Sequence, residues 1–488
     1  IESDNITTHR ATVDYAYSRP VNYIEPFKNL VGDNKYLQLL GGFNFNPLPN
    51  TINVGTELDR YFAETRYRFT GGDPLFSTFY NKRLTWDRNY NVQWDMARGL
   101  KFNFNATAFA VIDEPDEIRI RENPDIVDVN AYRRDSIWAG IKSFGRTKNY
   151  RHNFNVNYTL PTELLPFMDW VSVKATYNAS YDWSAAALNV ANLGNVIQNS
   201  QQRQINGDFD FESLYNQVGY LQKINQGNQP SSRRNTRSRT RSRTNTRNNN
   251  ADEEEKETRE PSTIEKVLIR PLMLLRKARF TYSEQFQTII PGFMPQAELF
   301  GMNGFDAPGW DFVTGLQPTI RTLDIEDYGT DRDWLHTASQ KGWITSDVFL
   351  NQQVIQNYTQ TADAQVTLEP FRDFRIEVTA TRSFTENHSQ YFKDTLNNGI
   401  DEWVHAVPRN IGSLNLSYFA MNTLFQDDID QIINLFNTFE DNRRVISERL
   451  GSGLHDNDEL RKLGYTKGYG RTQQEVLIPS FIAAYTEQ

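Results

Sequence analysis

The chain has 488 residues, 13% of them aromatic, a formal net charge of -9 and no cysteine. The missing cysteines exclude disulfides, thiol catalysis and cysteine-bound zinc, and the acidic balance argues against nucleic acid as a partner. No apolar run approaches the roughly 20 residues of a membrane-spanning helix, but a transmembrane strand needs only about 10 residues with every second one apolar, so a membrane β-barrel remains open.

Alternating apolar and polar residues predict β-strands in the first third of the chain, because successive side chains of a strand point to opposite faces. The alternating segments are residues 13–17, 89–96 and 101–110, and residues 97–99 form a tight turn between the last two. This turn predicts an antiparallel hairpin.

The clearest alternation covers residues 153–159 and 171–183. The apolar face of the second segment comprises Val171, Val173, Ala175, Tyr177, Ala179, Tyr181 and Trp183, and its polar face comprises Ser172, Lys174, Thr176, Asn178, Ser180 and Asp182. In the first segment Asn153, Asn155 and Asn157 alternate with apolar residues. A ribbon of about 13 residues is longer than the usual strand of five or six.

Two more ribbons, residues 361–368 and 374–381, are joined by the short connection 369–373. The other short connections are residues 97–99 and 160–169, and the long ones are residues 113–149, 184–261 and 291–357. Outer-membrane barrels have short turns on the periplasmic side and long loops outside. We therefore expect the long loops to lie outside the cell.

Several short segments without the strand pattern contain proline, glycine and aromatic residues close together. Ten residues of these segments are candidates for rigid loops over the mouth of a barrel or inside it. They are Asn44, Pro47, Pro49, Pro291, Gly292, Phe293, Pro308, Gly309, Trp310 and Trp343. Glycine and proline fix unusual backbone shapes, and the aromatic side chains anchor them.

Two segments do not have the strand pattern. Residues 231–259 are of low complexity, first arginine-rich and then acidic, and predict a solvated loop more readily than an RNA-binding stretch. Residues 424–450 have apolar side chains at helical spacing, with acids first, arginines last and Gly451 at the stop, which predicts a helix. It either packs on its own barrel, which we favour, or contacts a partner or plugs the lumen.

No motif for catalysis, a cofactor or a metal ion is recognisable. The six histidines are dispersed, and no HExxH, GxSxG or phosphate-binding glycine motif occurs. Residues 323–333 are acidic but lack EF-hand spacing, so a solvated loop is favoured over a calcium site. We expect no enzyme activity, no cofactor and no metal.

These features favour an all-β fold, a large transmembrane antiparallel β-barrel with long loops and a few short helices, of which residues 1–488 form one segment. A soluble β-sandwich has the same alternation and is the alternative. Strand length favours the barrel, as do Trp94, Trp170, Tyr181 and Trp183 near strand ends, because such side chains suit the boundary between hydrocarbon and water.

Seven stretches resemble the SprA/Sov family, the outer-membrane translocons of the Bacteroidetes type 9 secretion system. They are NFNPLPN (44–50), FESLYNQVGYLQKIN (211–225), PGFMP (291–295), APGWDFVTGLQ (307–317), EPFRDFRIEV (369–378), NRRVISERL (442–450) and VLIPSFIAAY (476–485). They follow the family order. Because family chains are several times longer, the resemblance implies that this sequence is part of such a chain, from its later portion.

The resemblance implies a single-chain barrel in the outer membrane that exports folded cargo proteins bearing a C-terminal signal domain. It also implies a plug protein, a PorV-type carrier barrel at a lateral opening and the remainder of the barrel chain as partners, with export of gliding adhesins in some members. The energy must come from other proteins, since no nucleotide site is recognisable.

A wall that passes folded cargo needs a hydrated and non-adhesive inner face, and its outer face must contact outer-membrane lipid. The pore-facing candidates are Asn153, Asn155, Asn157, Ser172, Lys174, Thr176 and Asn178. The lipid-facing candidates are Val171, Val173, Tyr177, Tyr181 and Trp183. Two other functions stay open: a TonB-dependent-type transporter or porin, and an extracellular β-rich adhesin or binding module.

Overall fold

In the computed structural model, the residues described are 2–31, 37–67, 78–117, 120, 123, 125–226, 262, 265, 269, 273–320, 334–371, 374–395, 403–417, 429–451, 463–466 and 468–486. They form one eleven-stranded antiparallel sheet with a few helices. This confirms the all-β prediction.

The strands follow one another in the sheet in the order of the chain, so that each long ribbon pairs with the next. They are β1 (Glu2–Ser18), β2 (Thr51–Tyr67), β3 (Thr78–Ala97), β4 (Leu100–Val111), β5 (Arg146–Thr159), β6 (Val171–Ser184), β7 (Asn195–Asp210), β8 (Leu275–Phe293), β9 (Val354–Phe371), β10 (Phe374–Asp394) and β11 (Trp403–Leu416). Among the described strands, β1 pairs only with β2 and β11 only with β10, so the sheet is open.

The helices lie in the connections and after the last strand. They are α1 (Lys28–Val31), α2 (Gln38–Gly41), α3 (Val129–Lys142), α4 (Phe211–Gln217), α5 (Gly219–Gln226), α6 (Trp310–Val313), α7 (Trp334–Gln340), α8 (Ile429–Leu450) and α9 (Gln474–Thr486). Local capping fixes some of their starts: the Asp128 carboxylate accepts hydrogen bonds from the backbone N–H groups of Asn130 and Ala131 before α3. Among the helices described, none is both long and apolar enough to cross a membrane.

The predicted helix 424–450 is confirmed over residues 429–450, and residues 424–428 lie outside the described residues. The low-complexity segment 231–259 and the acidic run 323–333 also lie outside the described residues. The structure therefore leaves those two loop predictions as they stand.

The two ends of the strands differ in their connections. We call the end that holds the two-residue turn Arg98–Gly99 the turn end, and the opposite end the cap end. Because the sheet is a meander, residues 160–170 and 372–373 also connect strands at the turn end, and residues 112–145, 185–194 and 294–353 connect them at the cap end.

The predicted separation of short turns from long loops was only partly right. The long connections 19–50 and 211–274 lie at the turn end, beside the tight turns. Residues 184–261 are not a single loop either, because they include β7. The central part of its sequence, residues 198–204 (QNSQQRQ), is polar on both faces, so the alternation that reveals other strands is absent there.

Residues 294–320 and 334–353, which we call the cap, fold back onto one face of the sheet at the cap end. Buried side chains of the cap, including Met302, Phe312 and Leu335, join those of the strands in the main hydrophobic cluster. A backbone hydrogen bond ties the cap to β8, because Thr345 N–H donates to the Gly292 carbonyl over 2.8 Å. The cap is therefore packed firmly against the sheet.

Candidate functional site

All seven pore-facing candidates lie on one face of β5 and β6. Asn153 lies opposite Ser180, Asn155 opposite Asn178, and Asn157 opposite Thr176 in the β5–β6 register. Opposing residues of an antiparallel pair point to the same side, so these positions share the face that we call the polar face. Sequence alternation thus grouped the side chains correctly, and which medium they face stays a prediction.

The polar face continues across the sheet as rows of neutral hydrogen-bonding side chains. One row comprises Asn53, Asn91, Asn105, Asn153, Ser180, Ser200, Gln287, Asn357 and Asn387. The next comprises Gln93, Asn103, Asn155, Asn178, Gln202, Gln285, Thr359, Thr385 and Ser413. The face therefore presents amides and hydroxyls over at least nine strands.

Neighbouring strands hydrogen-bond through these side chains. The Ser180 and Ser200 hydroxyls are 2.7 Å apart, and Asn178 Nδ2 donates to Gln202 Oε1 over 3.2 Å. Between β8 and β9, on the same face, Asn357 Nδ2 donates to Gln287 Oε1, also over 3.2 Å. These contacts hold the side chains in place while leaving hydrogen-bonding capacity for water.

The opposite face carries a band of apolar residues, which we call the belt, at the turn end of strands β1 to β10. The belt comprises Val13, Tyr15, Tyr17, Ile52, Val54, Val92, Trp94, Leu100, Phe102, Phe104, Phe154, Val156, Tyr158, Val171, Val173, Ala175, Ile205, Phe209, Ala278, Phe280, Tyr282, Ala364, Val366, Leu368, Ile376, Val378 and Ala380. Much of it is exposed: Val13, Tyr15 and Val378 expose 64%, 58% and 49% of their surfaces. So large an exposed apolar surface marks contact with lipid or another protein.

Charged residues appear on the belt side only beyond the belt, apart from Arg276 at the rim of the turn end. Arg60 lies nine residues from Thr51, where β2 begins at the turn end, and Arg88 lies nine residues from Ala97. Arg203, Glu284 and Arg382 occupy the corresponding level of β7, β8 and β10. Nine residues of strand rise about 30 Å, so on β2 and β3 this height matches the length of roughly 9–11 residues that a transmembrane strand needs. On β4, β5 and β6 the apolar band spans five residues, about 16 Å, before the cap covers the same face at Ala106, His152 and Tyr177.

Beyond these charges, the cap covers the same face. Tyr181 and Trp183 are fully buried under it: the Tyr181 hydroxyl donates to the Gly301 carbonyl over 3.0 Å, and Trp183 Nε1 donates to the Pro295 carbonyl over 3.1 Å. The Tyr177 hydroxyl donates to the Thr314 carbonyl over 2.8 Å. These three side chains contact the cap instead of the predicted lipid. Of the lipid-facing candidates only Val171 and Val173 lie in the belt, and Val171 is itself buried.

Residues 312–320 of the cap, which we call the strap, cross the strands at this level. Polar side chains of successive strands bind its main chain: His152 Nε2 donates to the Val313 carbonyl over 2.9 Å, and Asn199 Nδ2 donates to the carbonyls of Phe312 and Leu316 over 3.0 and 2.9 Å. Gln356 and Gln390 continue the series to the carbonyls of Pro318 and Ile320. The strap is thus clamped from β5 to β10.

Sequence reasoning missed these clamp residues, because polar side chains on the belt side looked like breaks in the alternation. The sequence signal for them is their position along the strand. Asn199 and Gln356 are polar residues that lie nearer the cap end than the apolar belt residues of the same strands. Buried polar groups require partners, and the strap supplies them.

The ten loop candidates fall into three groups. Asn44, Pro47 and Pro49 lie in the connection between β1 and β2, at the turn end, and the Asn44 side chain accepts from the Arg98 N–H over 2.8 Å. Pro308, Gly309, Trp310 and Trp343 lie in the cap, where Trp310 begins α6. Pro291, Gly292 and Phe293 are not a loop but the last residues of β8, a correction explained by the positive φ of Gly292, +82°, which lets the strand continue past the proline.

No family model matches this chain. No curated protein matches it either.

The two faces of the sheet differ in character. Across the described ranges, no three histidine, aspartate or glutamate side chains are grouped closely enough to hold a metal ion. One face carries amides, hydroxyls and charges of both signs, such as Lys174, Arg151 and Asp182, and the other carries the apolar belt.

Proposed function

We propose that this chain is part of the wall of an outer-membrane protein-conducting channel, a very large transmembrane β-barrel that exports folded proteins in type 9 secretion. The observation that carries the membrane part of the proposal is the belt, apolar on β1 to β10 and limited on one side by Arg60, Arg88, Arg203, Glu284 and Arg382. The secretion part rests on the resemblance of the seven sequence stretches to the SprA/Sov family.

The polar face suits the passage of folded proteins. A folded cargo exposes charged, polar and scattered apolar groups, so a wall with strong charge or apolar patches would retain it. Amide and hydroxyl rows keep their own hydration and offer no apolar contact, and their cross-strand hydrogen bonds hold them against the wall. The wall acts by enclosing water, and the driving energy must come from other proteins.

The open sheet needs partners on both edges. Unpaired strand edges do not face lipid, because their N–H and C=O groups would lack hydrogen-bond partners there. We therefore expect β1 and β11 to pair with the remainder of the barrel chain. A plug protein, a PorV-type carrier barrel and cargo with a C-terminal signal domain are the further partners that the resemblance implies.

Extraction from native membranes in mild detergent, followed by mass spectrometry of whatever co-purifies, tests the proposal. We expect recovery from the outer-membrane fraction as a chain several times longer than 488 residues, together with a carrier barrel or a plug protein. A membrane protein without such partners and of ordinary size would favour the transporter or porin. Recovery as a soluble 56.7 kDa monomer would favour the adhesin and contradict the proposal.

The orientation of the wall gives a second prediction. The arginine-rich segment 231–259 belongs to the connection from Asp210 to Leu275, whose two ends lie at the turn end with Arg98–Gly99. Since tight turns of outer-membrane barrels face the periplasm, we now expect this segment on the periplasmic side, which reverses the expectation from sequence. Trypsin should cut there only after the outer membrane is permeabilised, and cleavage in intact cells would invert the orientation.

A further inference from the structure

The cap carries an exposed aromatic cluster on the belt side of the sheet. Phe300, Phe305 and Trp310, which we call the aromatic foot, expose 41%, 51% and 49% of their surfaces. The Trp310 ring lies 6.0 Å from the Phe300 ring and is stacked with the Phe305 ring at 6.1 Å. Three large rings that pack on one another and still face outward form a surface that fits an apolar or interfacial partner.

The foot is continuous with the belt. The Phe300 ring meets the ring of Phe104, a belt residue of β4, edge-on at 6.4 Å between centroids. The foot thus lies directly beside the apolar surface that we propose to be in lipid, at its border towards the cap end. Aromatic residues, tryptophan above all, are enriched at this level of membrane proteins because their rings suit the interface between hydrocarbon and headgroups.

The backbone holds the foot outward at an energetic cost. Phe300 and Phe305 both have positive φ, 55° and 61°, a region that bulky side chains rarely adopt. Such strain persists only where the surroundings enforce it. Here the Gly301 carbonyl accepts from the Tyr181 hydroxyl over 3.0 Å, and the Ala297 carbonyl accepts from the Thr147 hydroxyl over 2.9 Å.

A charged pair adjoins the foot. Asp306, next to Phe305 in the chain, lies within 3.5 Å of Lys341 Nζ, and the Lys341 ammonium lies 4.3 Å from the centre of the Trp343 ring. Exposed aromatic rings beside charged groups form the amphipathic border expected where a protein segment rests on a bilayer surface.

We infer that the aromatic foot inserts into the headgroup and upper acyl region of the outer membrane, so that the cap rests on lipid as well as on the sheet. This inference rests on the proposed function, because it requires the belt to lie in lipid. The foot then fixes how deeply the wall sits, with the belt below it and the charged residues Arg203 and Glu284 at or above the interface.

Site-specific fluorescence tests the inference, since the sequence contains no cysteine. The intact protein, purified with Phe305→Cys and labelled with an NBD fluorophore, is placed in phosphatidylcholine vesicles, with or without brominated acyl chains. Phe280→Cys serves as the belt control. Phe349→Cys is the matched control: it is also in the cap and 79% exposed, but it lies near Asp347, which contacts Asn192 in the cap-end connection.

We expect brominated lipid to quench the label at position 305, with blue-shifted emission as at position 280, whereas iodide in the water quenches the label at position 349. If iodide quenches the label at position 305 while brominated lipid quenches the label at position 280, the membrane insertion of the foot is wrong and the proposed function still stands. Iodide quenching at 280 would overturn both. Protection of 305 from both quenchers would indicate a protein contact and overturn the lipid assignment. Phe300→Cys provides a second foot position if Phe305→Cys does not fold.

Discussion

Arginine at Phe280 and Ala364 is expected to remove the protein from the outer membrane or leave it there unfolded. The two residues lie opposite each other in the β8–β9 register, near the middle of the belt. An arginine at the lipid-facing midplane of an outer-membrane barrel costs about 2–4 kcal/mol, and two adjacent like charges add repulsion. The combined cost is comparable to the whole stability of many proteins, about 5–15 kcal/mol.

Thr281→Arg with Asp363→Arg is the matched control, because these residues are also an opposing pair and follow the first pair by one position on the polar face. We expect the control to assemble. The measurement is the amount of folded protein in outer-membrane fractions, judged by its heat-modifiable migration. Equal assembly of both double variants would mean that the belt does not lie in lipid, and the membrane part of the proposal would fail.

Period two in the sequence predicted the strands well where one face is apolar and the other is polar. Residues 153–159 and 171–183 lie in β5 and β6 as expected, and Asn155 and Asn178 do share a face. The reason is that a strand fixes side-chain direction residue by residue, so the pattern carries the face directly. The alternation did not predict β7, because its residues towards the cap end are polar on the belt side too. Asn199 binds the strap there, and Gln201 is buried beneath it.

What covers an apolar face could not be predicted from the alternation. Tyr181 and Trp183 have the pattern of lipid-facing residues, yet they are buried by a cap that begins more than 100 residues later in the chain. The hydrophobic effect removes such side chains from water in either case and does not specify lipid or protein as the new surroundings. Only the tertiary structure separates the belt from the covered region beyond it.

The cap itself depends on a close approach between Gly315 and the sheet. A Cβ at position 315 would lie 2.7 Å from the Cβ of Ala179 and 2.9 Å from the Ser200 carbonyl oxygen, and Gly315 has a φ of +90°. We expect Gly315→Ala to lift the strap from β6 and β7. Positive φ costs an alanine about 1–2 kcal/mol, and overpacking adds about 1–3 kcal/mol.

Gly342→Ala separates these two costs, because Gly342 is also in the cap with a positive φ of +69° but has open space around its Cα. Chymotrypsin cleavage within residues 294–353, compared at equal protein concentration, reports how often the cap opens. Each 1.4 kcal/mol of overpacking should raise cleavage of Gly315→Ala about tenfold over the control. Equal cleavage would mean that the strap does not rest on Ala179. A lifted strap would also expose the Asn199 amide, which donates to the strap carbonyls of Phe312 and Leu316.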